Sequence, residues 1–266
     1  MAQALEKPNT YPRISAPAVL DEKTVAFLRR RAPERCVVFA AWDALEPAEG
    51  KYDEDAYEEL RGRLMTVGSL GAEPVLCLYR GEDPEWFSDR DGWVMEDDLR
   101  CYLRYVGKTV RSVGHLVSEY ITFYEPNAQA WRDGKSRTKF HSAVTTLSYM
   151  ASANARAYRL IRDTRRIRDM GETSVGIVMR LYPEMDLRRD LLRGKAHATA
   201  AGYQRMPLLA MTKGEFRLPM RNMLRIRKDT WADFVGVTGT EDAAKRALCC
   251  AGVEQLTGAE ARIMEE

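Results

Sequence analysis

The amino-acid sequence predicts an α/β protein built on parallel strands. Short apolar runs recur along the chain, each is followed by a longer amphipathic stretch, and the runs are nearly continuous instead of alternating with polar residues. A continuous apolar run is typical of a strand that is buried on both faces of its sheet. Because parallel strands need crossover connections, this order predicts either an open doubly wound sheet or a barrel.

Six segments are candidate strands. The first is weaker than the others, and in chain order they are Arg13–Ala18, Cys36–Trp42, Pro74–Tyr79, Tyr120–Tyr124, Val175–Met179 and Phe234–Val237. The residues after Thr240 have a helical pattern and offer no obvious seventh or eighth strand. We therefore expect 241–266 to be a C-terminal helical segment.

The stretches between the strands have the pattern of helices with recognisable ends. Asp53 and Asp97 are expected N-caps, because a side-chain oxygen there can accept from the free amides of the first turn. Gly71 is an expected stop, since glycine enters the left-handed conformation at little cost. No low-complexity linker divides the chain, so we predict one domain over 1–266 with a polar N-terminal tail at 1–12.

The composition excludes several classes of partner. The chain has 41 basic and 39 acidic residues and a net charge of +2, which provides no overall field for nucleic acid or an anionic membrane. No stretch approaches the ~20 apolar residues of a membrane span. Met1–Pro12 lacks the apolar centre of a secretory signal. We therefore predict a cytoplasmic protein that binds neither nucleic acid nor membrane.

Metal and cofactor chemistry is not indicated by the cysteines and histidines. The five cysteines are an odd number without the paired spacing of metal ligands, and no two of the three histidines are spaced as ligands on one helix face. We predict neither a metal site nor a cofactor.

Four strand ends carry residues that together point to one family. They are Trp42–Asp53 (WDALEPAEGKYD), Pro84–Trp93 with two tryptophans, Ile121–Asn127 (ITFYEPN) and Asp233–Val237 (DFVGV). In this order and spacing, the segments resemble the family 1 glycoside hydrolases, the β-glucosidase-type retaining enzymes. The resemblance covers roughly Glu34–Thr240. It implies a TIM-barrel-like (β/α) fold, apparently incomplete at about six parallel strands, with the site at the C-terminal strand ends.

The resemblance implies a role for Glu125. Retaining glycosidases use two carboxyl groups about 5 Å apart, of which one protonates the leaving oxygen and the other attacks the sugar. The family's acid/base glutamate lies in a Thr-Phe-Asn-Glu-Pro motif, and Glu125 occupies its place. The alternative is a carboxylate left solvated at the barrel mouth.

The rest of the family pattern is broken. Its attacking glutamate lies in an Ile-Thr-Glu-Asn-Gly motif on strand seven, for which we identify no counterpart, and the strand-eight tryptophan and glutamate are also missing. Val37 replaces an arginine, Arg80-Gly81 a His-Trp pair, Tyr124 an asparagine, and Thr238-Gly239-Thr240 an Asn-Tyr-Tyr. Sugar contacts contribute as a converging set. These losses predict weak or no hydrolysis.

The remaining candidate ligand contacts are Trp42, Arg80, Tyr124, Asn127, Trp86 and Tyr182. Arg80 and Tyr124 suggest a remodelled pocket for an anion, because arginine pairs well with carboxylate or phosphate. A salt bridge from Arg80 to Glu82 or Glu125 is the alternative. The tryptophans either stack on a sugar or fill the barrel top.

Two functional hypotheses follow. The first is a non-hydrolytic protein that binds a saccharide or a small anion. The second is an active β-glycosidase that pairs Glu125 with a non-standard carboxylate, either Glu241 or a residue of a partner subunit. The alternative for Glu241 is that it begins the next helix, where a negative side chain is stabilised by the helix dipole. Six strands would leave two bare sheet edges, which predicts a homodimer or capping by a helix at Asp242–Glu266.

Overall fold

A single parallel sheet forms the centre of the molecule. The computed structural model describes residues 10–11, 13–14, 22–90, 92–133, 139–181, 207–214, 230–240, 242–246 and 253–264. The strands are β1 Thr10–Tyr11, β2 Arg13–Ile14, β3 Arg35–Phe39, β4 Glu73–Cys77, β5 Glu119–Tyr124, β6 Ser174–Met179, β7 Phe234–Thr238 and β8 Glu260–Met264. Their order is β1-β8-β7-β6-β5-β4-β3-β2, and every neighbouring pair is parallel.

The first two strands join the two ends of this row. β1 pairs with β8, and β2 pairs with β3, while a single residue, Pro12, separates β1 from β2 in the chain. The segment 10–14 therefore contacts both ends of the sheet, as the first strand of a barrel does. The predicted TIM-barrel-like arrangement of parallel strands is confirmed, and each of the six predicted strands overlaps an observed one.

The prediction that 241–266 is entirely helical is wrong. β8 lies in this stretch and pairs with β7 along its whole length, from Phe234↔Glu260 to Thr238↔Met264. Charged residues at Glu260 and Arg262 interrupt the apolar run that revealed the other strands. The edge of β7 is thus covered by a strand, not by a helix, and the bare edges that motivated a homodimer are paired here.

Helices follow most of the strands. They are α1 Glu22–Arg31, α2 Trp42–Leu45, α3 Glu54–Ser69, α4 Glu85–Ser88, α5 Glu96–Val113, α6 Pro126–Asp133, α7 Lys139–Ile167 and, nearer the C-terminus, Val253–Thr257, with a 3-10 turn at Gly114–Leu116 and further helical residues at 207–213 and 242–246. None of the helices in the described part of the chain is long and apolar enough to cross a bilayer.

The predicted helix ends are partly correct. Asp53 caps α3 by accepting from the Ala56 amide at 3.0 Å, and Gly71 after α3 has a φ of 83°. The prediction that Asp97 is an N-cap is wrong, because α5 begins at Glu96 and its N-cap is Met95. Asp98, in the first turn of α5, accepts from the Met95 amide at 2.7 Å and so satisfies the donor of the N-cap residue itself.

The core has two parts, one on each face of the sheet. The larger part lies between the strands and the surrounding helices. The smaller contains strand residues only and therefore fills the barrel interior, with Val37, Phe39, Val75, Cys77, Ile121, Tyr124, Val178, Phe234 and Met264. Because the interior is packed, a ligand site belongs at the strand ends, as in other barrels of this class.

Candidate functional site

Glu125 lies at the turn between β5 and α6. Its φ is 52°, a left-handed conformation that is uncommon for a residue other than glycine. Its amide donates to the Val178 carbonyl of β6 at 2.8 Å, and its own carbonyl accepts from Ala128 at 3.0 Å and Gln129 at 3.1 Å. The left-handed turn thus starts α6 immediately and holds residue 125 at the C-terminal end of the sheet. Backbone strain of this kind is often found at functional sites.

The Glu125 carboxylate joins three consecutive strand ends. Oε1 accepts a hydrogen bond from Oγ1 of Thr238, the last residue of β7. Oε2 lies 3.4 Å from Nη1 of Arg180, which follows β6. The Glu125 side chain is 13% exposed. Each carboxylate oxygen therefore faces a donor of the protein itself.

Asn127 holds the arginine in place. Its Nδ2 donates to the Arg180 carbonyl at 2.7 Å, and its Oδ1 accepts from the Arg180 amide at 3.2 Å. The Asn127 side chain is 2% exposed. Sequence reasoning proposed Asn127 as a ligand contact, but the structure uses both ends of its amide to fix the backbone beside Glu125. Asn127 therefore positions Arg180, which in turn faces Glu125.

The two tryptophans proposed as sugar contacts each donate a hydrogen bond to Glu46. Trp42 is 1% exposed, and its Nε1 donates to Glu46 Oε2 at 2.9 Å. Trp86 is half-buried and donates to the Glu46 carbonyl at 2.8 Å. Trp42 also stacks on Tyr105, with ring centroids 5.2 Å apart and planes 22° apart. This placement favours the packing alternative for both tryptophans.

Arg80 and Tyr124 meet on the ring of Phe39. The Arg80 guanidinium lies 4.8 Å from the Phe39 centroid and is paired with Glu82, while the buried Tyr124 ring meets Phe39 edge-on at 5.3 Å. The salt bridge from Arg80 to Glu82, one of the alternatives to an anion site, is therefore present. A recess beside them, lined by residues 39–42, 77–80 and Glu82, is large enough for about one water molecule.

Gln129 is a polar residue of the site that sequence reasoning missed. It is 3% exposed and ties together the chain segments on either side of Glu125. Its Nε2 donates to the Tyr124 carbonyl at 2.7 Å and also to the Arg80 carbonyl. Its position one helical turn after Glu125 was the only available signal, because α6 places residues i and i+4 on one face.

Glu241, the second carboxylate proposed from the sequence, lies outside the described residues, as does Tyr182. Within the described ranges, no group of three or more His, Cys, Asp or Glu side chains is arranged to hold a metal ion.

The expectation that no seventh strand follows Thr240 is wrong, because β8 lies there. When 10–14 is counted as one strand, β8 is the seventh around the ring. Its last two residues and the next residue in the sequence read Ile263-Met264-Glu265, which matches the family's Ile-Thr-Glu at two of three positions. Glu265 itself lies outside the described residues. The Ile-Met-Glu sequence was the signal that could have identified β8.

Comparisons with known proteins give partial matches. No family model matches the chain. The galactolipid galactosyltransferase SFR2 of Arabidopsis thaliana is 30% identical to it over 86 residues. This match covers 31% of this chain and 14% of that protein. The chain is 28% identical over 123 residues to the β-glucosidase-like SFR2 of Oryza sativa subsp. japonica, 40% of this chain and 19% of that protein. Both relatives carry the description chloroplastic.

Solved structures match over most of this chain. A β-glycosidase from Pyrococcus horikoshii is 23% identical with a TM-score of 0.65, covering 80% of this chain and 50% of that one. A β-glucosidase from Exiguobacterium marinum is 21% identical with a TM-score of 0.67, and the shares are 82% and 53%. The family 1 β-glucosidase from Exiguobacterium antarcticum B7 is 19% identical with the same score and shares. The chain therefore has a divergent form of the family 1 β-glucosidase fold and spans about half the length of those structures.

Proposed function

We propose that this chain binds a saccharide or a small anionic molecule at the strand ends around Glu125, with weak or no hydrolysis of glycosides. The arrangement of the Glu125 carboxylate carries the proposal. A general acid must present a proton to the glycosidic oxygen. In this structure Oε1 accepts from Thr238 and Oε2 faces Arg180, so both oxygens are engaged by the protein.

The replaced sugar contacts support the same conclusion. Val37 is buried in the barrel interior, where the resemblance places an arginine, and Tyr124 packs on Phe39 instead of offering an amide. Gly81 has no side chain where the resemblance places a tryptophan. Binding energy that is used in the transition state requires such groups to act together. Their combined absence favours binding over turnover.

The test is hydrolysis of p-nitrophenyl β-D-glucoside by the wild type and by Glu125→Gln. We expect release of p-nitrophenol to be near background in both proteins. Glu58→Gln is the matched control, because this carboxylate is 69% exposed on α3. Strong turnover that disappears in Glu125→Gln but persists in Glu58→Gln would refute the proposal. Binding is measured in parallel by calorimetry with glucose and glucose 6-phosphate, and the proposal needs heat from at least one of them that Glu125→Gln lowers.

A second candidate is a retaining glycosidase or glycosyl transferase, and the position of β8 favours it. β8 pairs with β7 as the seventh strand around the ring, and Glu265 is the residue that follows β8 in the sequence. Glu265 would then attack the sugar and Glu125 would act as acid and base. The relatives described as a galactosyltransferase and as β-glucosidase-like are consistent with transfer to an acceptor hydroxyl or to water. A partner-subunit carboxylate or Glu241 is the alternative nucleophile.

Trapping distinguishes these nucleophiles. A 2-deoxy-2-fluoroglucoside with a good leaving group loses that group when a carboxylate attacks, and the glycosyl ester that forms is stable enough for mass spectrometry. Under this candidate the wild type gains one glycosyl group, whereas Glu265→Gln gains none and Glu266→Gln behaves as the wild type. Labelling that is lost only in Glu241→Gln would identify Glu241. An unlabelled wild type would remove the candidate.

A further inference from the structure

Arg180 is a cation that the fold fixes at the C-terminal ends of the strands. It follows β6 directly, and the side chain of Asn127 binds both its amide, at 3.2 Å, and its carbonyl, at 2.7 Å. Asn127 is itself 2% exposed, so this clamp belongs to the packed part of the structure. The backbone that carries the guanidinium is therefore in place before any ligand binds.

The contact between Arg180 and Glu125 is long for an ion pair. Nη1 lies 3.4 Å from Oε2 of Glu125, whereas a charge-assisted hydrogen bond between such groups is about 2.7–2.9 Å long. Oε1 of the same carboxylate accepts from Thr238. The Arg180 side chain is 43% exposed, compared with 13% for Glu125. A ligand that arrives from solvent therefore meets the arginine before the carboxylate.

Arg80, the anion contact expected from the sequence, is engaged differently. Its guanidinium is paired with Glu82 and lies over the ring of Phe39, 4.8 Å from the centroid. Its side chain is 27% exposed. An anion could bind Arg80 only by displacing Glu82 and disturbing the contact with the ring. Of these two arginines, Arg180 therefore offers the better contact for an anion.

We infer that Arg180 is the specificity-determining residue of this site, and that the ligand is a hydroxylated molecule with a carboxylate or phosphate group. Arginine presents its donors in a planar fork that matches two oxygens of either group. Glu125 is the neighbouring acceptor, and an ionised carboxylate has further lone pairs for a hydroxyl of the same ligand. The inference rests on the proposed function, and of the two ligand classes proposed there it selects an anionic ligand with hydroxyl groups.

Calorimetric titration with glucose 6-phosphate, glucuronate, glucose and inorganic phosphate tests the inference. We expect the wild type to bind at least one of the two charged sugars about tenfold more tightly than glucose. This ratio, the charge preference, should fall to near one in Arg180→Gln, because a neutral amide cannot form an ion pair. Arg180→Lys keeps the charge but loses the fork, so it should retain part of the preference. Inorganic phosphate that binds as tightly as the charged sugars would overturn the inferred ligand class.

Two other arginines provide the controls. Arg100→Gln removes the same charge from α5, where the side chain is 75% exposed and paired with Asp97, and it should keep the charge preference. Arg80→Gln should also keep it, because Glu82 already neutralises that residue. Loss of the preference in Arg80→Gln, or its persistence in Arg180→Gln, overturns the inference.

The charge preference separates a role in recognition from a role in folding. It compares two ligands on one protein, so a general loss of structure weakens both affinities and leaves the ratio unchanged. If Glu125→Gln lowers the affinity for glucose but the wild type shows no charge preference, the inference fails and the proposed function stands. If none of the ligands gives heat with the wild type, both fail. Added salt should weaken binding of the charged sugar and leave glucose unaffected, and equal effects on the two would contradict an ion pair.

Discussion

The guanidinium of Arg262 lies 2.6 Å from the carboxylate of Glu119, inside the barrel and three strands away around the sheet. The two side chains are only 7% and 4% exposed. Arg35 also approaches Glu119, at 3.6 Å, and Arg262 covers the ring of Phe234 at 3.9 Å from its centroid. The pair links β8 to β5 near the N-terminal ends of the strands, opposite Glu125. It fixes the strand that the sequence pattern did not reveal.

Stability should depend on pH through Glu119. Burial raises the pKa of Glu119 above its ordinary value of 4.5, although Arg262 opposes the change. The folded state therefore binds this proton more tightly than the unfolded chain does, and the contribution of Glu119 to stability increases as the pH falls through the raised pKa. Urea unfolding between about pH 7 and pH 5 should show the wild type gaining stability relative to Glu119→Gln as the pH falls. Two results would contradict the assignment. The wild type would lose stability relative to Glu119→Gln as the pH falls, or it would gain just as much relative to the exposed Glu58→Gln.

Thr238→Val should weaken the support of Glu125. The substitution keeps the shape of a buried side chain and removes the hydroxyl that donates to the carboxylate. Hydrogen bonds to charged groups contribute more than neutral ones, so we expect a loss of about 1.5–3 kcal/mol in the free energy of unfolding. Thr212→Val is the matched control, because its buried hydroxyl donates to the neutral Leu208 carbonyl. Equal losses in the two variants would argue against a special role for Thr238.

Ala41→Gly should stabilise the protein. Ala41 precedes α2 with φ 57° and ψ 80°, a left-handed conformation that disfavours a Cβ. Glycine adopts it readily, and we expect a gain of about 0.5–1 kcal/mol in the free energy of unfolding. Ala155→Gly, in the middle of α7, should lose a similar amount. Urea unfolding of both variants should therefore give shifts of opposite sign.

Trp42→Phe should affect stability and leave ligand affinity unchanged. The smaller ring leaves a void beside Tyr105 and removes the donor to Glu46, so we expect a loss of about 2–4 kcal/mol. Near-ultraviolet circular dichroism should lose intensity, because Trp42 lies within a cluster of aromatic rings. Trp86→Phe, at a half-buried position, should lose less. Loss of ligand binding in a Trp42→Phe protein of normal stability would make Trp42 a ligand contact after all.

The sequence was sufficient for the strands whose two faces are both apolar. β3 to β7 follow continuous apolar runs, and Glu125 was correctly placed at the end of β5. β8 could not be recognised in the same way, because Arg262 points into the barrel as a charged residue. Its counterion, Glu119, is 143 residues away in the chain, so local patterning carries no sign that the charge is neutralised there.

The partners of the site residues were equally hidden. Arg180 and Thr238 meet Glu125 from two other strands, and only the curvature of the sheet brings these three ends together. The motif containing Trp42 identified a strand end but not the direction of its side chain. That direction depends on Glu46, which accepts from Trp42 within the same turn of the chain.

The closure of the ring through 10–14 has a consequence for folding and for opening. Thr10 pairs with Ile263, more than 250 residues away in sequence, and each of β1 and β2 contributes only two paired residues. Contacts between such distant residues cost the most chain entropy to form, so this seam should be the last part of the barrel to assemble. For the same reason we expect it to open first, while β3 to β7 remain paired, and amide hydrogens along the seam should exchange with solvent before those of the central strands.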